Sequence, residues 1–353
     1  MKMETGINIP RMTAWLTINR ACNLRCSWCY AKMTGFSKMN SMSMPLVESS
    51  VRLLKDLSLE SVILIGGEPT IHPKFLDIVR LVKLSGLKTY LVTNAIKLSN
   101  PKFLDAVLSA GISSITVSFK ASNAHDYKKF TGKDAFERTL KAIRNICETK
   151  VHHVVNITAC EALIKNFDEM IEVIAESGAK SFSVDSGKPI ILADKTYADG
   201  MGSPEQMAKF FMEIYPKLKK AGINFSVKIA VPFCLFPRTF IDSVIEDGNI
   251  LTGCQMVSGR GIIIDPEGKL VPCNHLCHLS FGGLGKDFVT AEEYVRLRRK
   301  KEVVEFYKAA SACPHENCVS CSYWEICGAG CKLYWLHYDK KDLIGNFEGG
   351  LGK

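Results

Sequence analysis

The sequence predicts an α/β fold of parallel strands and helices followed by a small cysteine-rich region. Three observations predict it. Short β-branched runs alternate with amphipathic helical patterns from residue 13 to about 230, as βα units on a parallel sheet do. Beyond about residue 230 Pro, Gly and Cys become frequent and regular periodicity fades. Of 14 cysteines, nine lie between Cys234 and Cys331, too many for a chain without an export signal unless thiols serve as ligands, catalysts or core residues.

The strand-like runs are Thr13–Asn19, Ser61–Ile65, Lys88–Thr93, Ser114–Phe119, Val151–Thr158 and Ser181–Val184. After His72, the residues Phe75, Ile78, Val79 and Val82 share one helical face, and Gly86 stands at the C-terminal cap. NFDEMIEVIAESG repeats the plan, from a polar cap at Asn166 to Gly178. Six such units form either an open doubly wound sheet or a partial barrel, and in both the chemistry sits at the C-terminal strand ends. One charged helical stretch, Ala291 to about Ala310, remains in the C-terminal region, which places a domain boundary near 225–235: 1–230 and 231–353. GIIIDPEGKLVPC reads as a β-hairpin turning at Asp265–Gly268.

Composition excludes several classes. No apolar run approaches the about 18 residues of a membrane span, and MKMETGINIP is not a secretory signal, so a cytoplasmic protein without membrane or nucleic-acid partners is expected. The formal charge of +9 comes without a basic block interleaved with aromatics, and anionic metal centres would offset much of it.

CNLRCSWCY follows the first strand directly, placing Cys22, Cys26 and Cys29 at C-x3-C-x2-C with Trp28 before the last. Three thiolates hold three corners of a four-iron cube and leave the fourth iron open for a ligand. Zinc is the competing occupant, but a structural zinc needs four ligands and no His or Cys lies close enough in sequence to complete the set. The second strand ends in GGEPT, where Gly66 and Gly67 permit close backbone approach and Glu68 supplies a carboxylate for an ammonium group. Asn94, Ser118 and Asn156 are polar groups on the third, fourth and fifth strands. In the C-terminal region Cys254 and Cys273 bracket Gly268, and Cys318, Cys321, Cys327 and Cys331 follow at C-x2-C-x5-C-x3-C. Paired C-x2-C motifs also build zinc ribbons, so zinc competes here too. Cys147 and Cys160 read as small core residues, and His275 and His278 as surface loop histidines.

C-x3-C-x-aromatic-C after the first strand, with Gly-Gly-Glu-Pro after the second, resembles the radical S-adenosylmethionine (SAM) superfamily over residues 13 to about 190. The resemblance implies a partial (β/α)6 barrel. It implies a 4Fe–4S cluster on Cys22, Cys26 and Cys29 whose open iron chelates SAM, and reductive cleavage of SAM to a 5′-deoxyadenosyl radical. It further implies contacts to SAM from Trp28 (near the adenine), Gly66, Gly67, Glu68, Pro69, Asn94, Ser118 and Asn156. The chain departs from relatives at Lys120, where an acidic residue is usual. The C-terminal cysteine pattern is similar to the SPASM domain of peptide-modifying relatives and covers about 234–335. It implies one or two auxiliary 4Fe–4S clusters, one on Cys254, Cys273 and Cys331 and the other on Cys318, Cys321 and Cys327. Relatives usually have another cysteine after the last motif, and none follows Cys331 here. Cys313 is the expected fourth ligand of the second cluster, and Cys234 or Cys277 that of the first.

The resemblance points to hydrogen-atom abstraction from a ribosomally made peptide or protein, giving a crosslink, thioether, epimer, excision or oxidation. The alternatives are a small-molecule substrate such as a sugar, alcohol or cofactor precursor, and a non-enzymatic zinc or electron-transfer protein. A flavodoxin- or ferredoxin-type donor would supply the electron. Only 21 residues precede Cys22, too few for a leader-binding domain, so a separate leader-recognition protein or a leaderless substrate is expected. No residue is singled out as general acid or base.

Overall fold

The computed structural model describes residues 12–31 and 40–345. Eight strands form one sheet in which every neighbouring pair is parallel: β1 (Thr13–Thr17), β2 (Ser61–Ile65), β3 (Lys88–Thr93), β4 (Ile112–Phe119), β5 (His152–Ala159), β6 (Ser181–Ser186), β9 (Asn224–Lys228) and β10 (Gly261–Ile264). The spatial order is β10-β1-β2-β3-β4-β5-β6-β9. A doubly wound sheet reverses its strand order at a switch point. Here the order runs one way from β1 to β9, the winding of a barrel, while β9 and β10 stand at the two ends of the sheet and do not pair with each other. The fold is therefore an α/β partial barrel.

All six strands expected from the sequence form, each within about two residues of its expected ends. Two more join the sheet. β9 is a short edge strand with a single alternation of apolar residues, too brief to stand out. β10 is the first arm of the expected hairpin. Its turn closes as read, with the Gly268 N–H donating to the Asp265 carbonyl at 2.9 Å and Gly268 at φ +82°. The arm also pairs in register with β1, Thr13 opposite Gly261 and Leu16 opposite Ile264. All four residues of β10 are buried, which explains a continuous apolar run where a solvated hairpin would alternate.

Helices α1 (Met44–Asp56), α2 (Phe75–Leu84), α3 (Pro101–Ala110), α4 (Ala124–Thr131), α5 (Phe136–Cys147), α6 (Glu161–Ile164), α7 (Phe167–Glu176) and α8 (Pro204–Lys220) connect the sheet strands. Their apolar stripes pack on one face of the sheet. Leu16, Leu64, Leu91, Val117, Val155 and Val184 point into this core and are buried. The opposite strand positions, including Thr116, Ser118, Asn156 and Asp185, are half-buried on the inner face. That polar lumen is what a binding site needs and a structural core would avoid. β7 (Ile190–Ile191) and β8 (Thr196–Tyr197) form a separate antiparallel pair after β6.

The remaining chain holds α9 (Arg238–Glu246), α10 (Gln255–Ser258), α11 (Ala291–Arg298), α12 (Lys301–Ser311), α13 (Trp324–Cys327), α14 (Lys332–Trp335) and α15 (Lys340–Leu343). The single helix expected over 291–310 is broken: Lys300 is extended at ψ 141°. Four consecutive basic residues, Arg298 to Lys301, meet there, and like charges on neighbouring turns disfavour a continuous helix. The break lets Arg298 bond the Gly259 carbonyl at 2.6 Å and the Tyr307 hydroxyl at 2.7 Å. Tyr334 ties this region to the barrel through the Gly187 carbonyl at 2.7 Å. Among the described residues no helix is long and apolar enough to cross a membrane.

Candidate active site

The loop after β1 carries the first cysteines. It is held on two sides by backbone bonds. Arg25 and Ser27 donate to the carbonyls of Thr131 and Phe130 at the end of α4, at 2.8 and 3.0 Å. Gly67 and Glu68 donate to those of Asn19 and Ala21, at 2.9 and 2.8 Å. A Cβ on either Gly66 or Gly67 would collide with atoms of Asn19, Arg20 or Ala21. The glycine pair thus lets the ends of β1 and β2 touch.

Cys22, Cys26 and Cys29 lie in this loop, and the charges of Glu68, Cys26 and Cys29 all disfavour ionisation of Cys22. Burial is the larger cause, and it pushes the Cys22 thiol up to about 12. Burial likewise raises Cys26, opposed by the ammonium of Lys120. The Leu24 N–H donates to Cys22 Sγ at 3.3 Å. Such buried thiols stay protonated alone and ionise only when a metal replaces the proton. Among the described residues no three His, Cys, Asp or Glu side chains could hold a single metal ion. Three thiols on one loop, with an N–H aimed at sulfur, are a donor set suited to a multi-iron cluster.

Glu68 is buried and begins a short 3-10 helix, Pro69–Ile71. Its Oε1 accepts from Thr70 N, Thr70 Oγ1 and Thr93 Oγ1 at 3.1, 2.6 and 2.6 Å, and its Oε2 from Asn94 N at 2.7 Å. Burial raises its pKa and these donors oppose the rise. Three of these bonds fall on Oε1 and one on Oε2, so at roughly two per oxygen the second lone pair of Oε2 is the one left for an ammonium donor. Asn94 in turn donates from Nδ2 to Asn23 Oδ1 at 2.7 Å, joining the end of β3 to the cysteine loop.

Trp28 is buried, edge-on to Phe130 with ring centroids 6.1 Å apart, and Lys120 Nζ lies 5.8 Å from its ring. Lys120 also donates to Ser118 Oγ. Ser118, Asn156 and Ser183 are register partners on adjacent strands, and Asn156 donates to Ser183 at 2.8 Å. The sequence singled out Ser118 and Asn156 as polar residues on the fourth and fifth strands, but did not reveal Ser183, Thr70 or Thr93, which are ordinary hydroxyl residues until the strands align.

A cavity of about 620 Å³ opens beside this loop. Arg20, Tyr30, Ile191, Asp265, His275 and Cys277 are among its walls. Arg20 meets Asp265 in a buried ion pair at 3.4 Å. Tyr30 and His275 stack at 4.7 Å, so His275 is held in the cavity wall, which the exposed His278 also lines. Burial pushes the Tyr30 phenol up and the His275 imidazole down to about 3.

Beyond the cavity, Cys254, Cys273 and Cys331 pack around one satellite core of Ile191, Met256, Leu276 and Leu333. Burial raises Cys273 to about 11 and Cys331 to about 12, and in both the Lys188 ammonium opposes it. Lys188 is itself paired with Asp185 at 2.6 Å. A second cavity of about 420 Å³ is walled by Cys234, Cys318, Cys321 and Cys327 among aromatic rings. Cys234, expected beside the first auxiliary set, lies instead with the second. Cys313 bears on the charge of Cys318 but does not line that cavity. Cys277 faces the larger cavity. Cys160 is fully buried in the core, and Cys147 packs at its edge, 3.5 Å from His153 Nε2.

Comparison with known proteins adds to this geometry. The profile of the Radical SAM superfamily matches residues 16–160. The AdoMet-dependent heme synthase of Methanosarcina barkeri is 24% identical over 335 residues, covering 92% of each chain. The structure of Streptococcus suis SuiB bound to precursor peptide SuiA aligns with TM-score 0.69 at 16% identity, over 96% of this chain and 75% of that one. That of anSMEcpe with bound AdoMet and Cp18Cys peptide aligns with TM-score 0.69 at 17% identity, over 96% and 93%.

Proposed function

We propose that this chain, which belongs to the radical SAM superfamily, abstracts a hydrogen atom from a substrate seated in the 620 Å³ cavity between its first three cysteines and its C-terminal ones. The observation that carries this is the position of that cavity. Its walls take Arg20 and Tyr30 from the first cysteine loop, and His275 and Cys277 from the segment after Cys273.

When bound, a 4Fe–4S cluster with an open iron supplies the electron that splits SAM to methionine and the 5′-deoxyadenosyl radical. Cys22, Cys26 and Cys29 would hold that cluster. Glu68 Oε2 would receive the SAM ammonium, and Gly66, Gly67 and Pro69 keep the backbone close beneath it. Trp28, Asn94, Ser118 and Asn156 would bound the nucleoside. Tyr30 and His275 are neutral at ordinary pH and shield the reacting atoms from water without placing charge beside them. Cys254, Cys273 and Cys331, with Cys318, Cys321, Cys327 and Cys313 or Cys234, would hold auxiliary clusters able to take the electron left on the substrate. A SPASM-like C-terminal region and a flavodoxin- or ferredoxin-type donor fit that role.

For the substrate we take first a side chain of a ribosomally made peptide or protein, with a separate leader-recognition protein where a leader exists. The fold shared with peptide-bound SuiB and anSMEcpe supports it. A second class, a small cofactor precursor, is favoured by one observation. A heme synthase is similar over nearly the whole chain. The test is anaerobic co-expression with the small peptides encoded beside the gene, read by intact mass. A mass change absent with Cys26→Ala, such as the loss of two hydrogens, is expected. Unchanged peptides alongside continued 5′-deoxyadenosine release would overturn the peptide substrate in favour of the small molecule.

A further inference from the structure

The second auxiliary set has three cysteines in its motif, and the sequence offers Cys313, five residues upstream, as the nearest fourth. The fold offers another. The 3-10 turn Phe233–Leu235 carries Cys234 and follows soon after β9. It is stitched to the 327–331 loop at two points. Cys331 N donates to the Ala230 carbonyl at 2.6 Å, and Phe233 N donates to Cys327 Sγ at 3.3 Å. Gly330 permits this approach, since a Cβ there would collide with the Ala230 carbonyl. On the far side Gly345 sits against the Cys234 carbonyl, where a Cβ would also collide. The turn is therefore clamped from both sides. Its thiol lines the same cavity as Cys318, Cys321 and Cys327.

We propose that Cys234 is the fourth thiolate ligand of the cluster held by Cys318, Cys321 and Cys327. This rests on the auxiliary-cluster reading above and deepens it. Binding would replace the Cys234 S–H proton, released to solvent, with an iron–sulfur bond. Its present acceptor, the Leu343 carbonyl at 3.6 Å, is a weak sulfur contact that coordination can displace. The electrostatics agree with the geometry. Cys234 weighs on both Cys318 and Cys327, and Cys321 weighs on Cys234. Phe233, Trp324 and Trp335 line the cavity together with His315 and Asn317, and no Asp or Glu is among its lining residues; His315 Nδ1 is already engaged by Asn317 N at 3.2 Å. A closed four-thiolate site suits electron transfer, because no open iron is left to bind substrate.

The experiment reconstitutes the full chain anaerobically and measures iron, acid-labile sulfide and Mössbauer spectra for wild type, Cys234→Ala, Cys313→Ala and Cys318→Ala. Cys234→Ala and Cys318→Ala should lose the same spectral component, about four irons per chain or one of them with conversion to a three-iron form. Cys313→Ala should match wild type. Loss with Cys313→Ala and not with Cys234→Ala would overturn the assignment. An unchanged Cys318→Ala would show that the cluster itself is missing and would remove the reading beneath it. Should Cys234→Ala lose all its iron, Cys234→Ser decides: an altered signal from one iron supports the proposal, and a wild-type spectrum contradicts it.

Discussion

A buried carboxylate stays charged only where donors replace the water it gives up, and Glu68 has four of them from Thr70, Thr93 and Asn94. The sequence marked Glu68 through its Gly-Gly-Glu-Pro setting but gave no sign of its partners, because two of the four donors, on Thr93 and Asn94, sit at a strand end that only folding brings near. His72 is a comparable case. It is buried, its Nε2 donates to the Met42 carbonyl at 3.1 Å, and its Nδ1 accepts from Lys74 N at 3.0 Å. Those partners specify the neutral tautomer with the proton on Nε2, and burial lowers its pKa. A lowered folded-state value means the unfolded chain binds the proton more readily. The stability from His72 is thus complete above the ordinary value of about 6.5 and is lost progressively as pH falls below it. Denaturant titrations between pH 7 and 5 should show a shallower acid loss for His72→Gln than for wild type. Equal slopes would place the acid sensitivity elsewhere.

The strand-end loops are the elements on which the site is built, and their contact depends on two glycines. Gly67→Ala would drive a Cβ into the Ala21 and Arg20 carbonyls. Overpacking of this kind costs about 1–3 kcal/mol, and here the backbone that must yield carries Cys22. The variant should fold with lowered stability and bind SAM at least about tenfold more weakly, the equivalent of about 1.4 kcal/mol, as read by calorimetric titration of the reconstituted protein. Wild-type affinity would mean the loops can separate without moving the cysteines. At this scale the sequence was most legible where an element was long and periodic. β2 and β3 occupy their expected residues, Ser61–Ile65 and Lys88–Thr93. β10 was legible as a hairpin arm but not as a parallel strand of the sheet, because its pairing with β1 shows only in the alignment of Gly261–Ile264. The α11–α12 break was missed because helical periodicity outweighed the repulsion along Arg298–Lys301.

Across the whole molecule, the cysteines proposed as cluster ligands fall into three groups, one in the loop after β1, one around the satellite core and one lining the smaller cavity. Motif spacing marked the first group, since thiols a few residues apart share a loop, whereas the division of the C-terminal cysteines was implied only by the family resemblance, because Cys331 is spaced with Cys318, Cys321 and Cys327 but packs with Cys254 and Cys273. Spacing did not give Cys234 its place, because the approach of the 230–235 and 327–331 segments is set by backbone bonds across nearly a hundred residues. The inner face of the barrel was legible as a row of polar strand positions, though not its neighbours across the cavity, Tyr30 and His275. This division of labour predicts that the first cysteine group can be disabled without disturbing the others. The measurement that tests it most directly is 5′-deoxyadenosine formation by the anaerobically reconstituted, reduced protein with SAM, alongside iron content, for wild type and Cys26→Ala. Wild type should release 5′-deoxyadenosine, and Cys26→Ala should release none while keeping its C-terminal iron. Continued release by Cys26→Ala, or none from an iron-loaded wild type, would contradict the account.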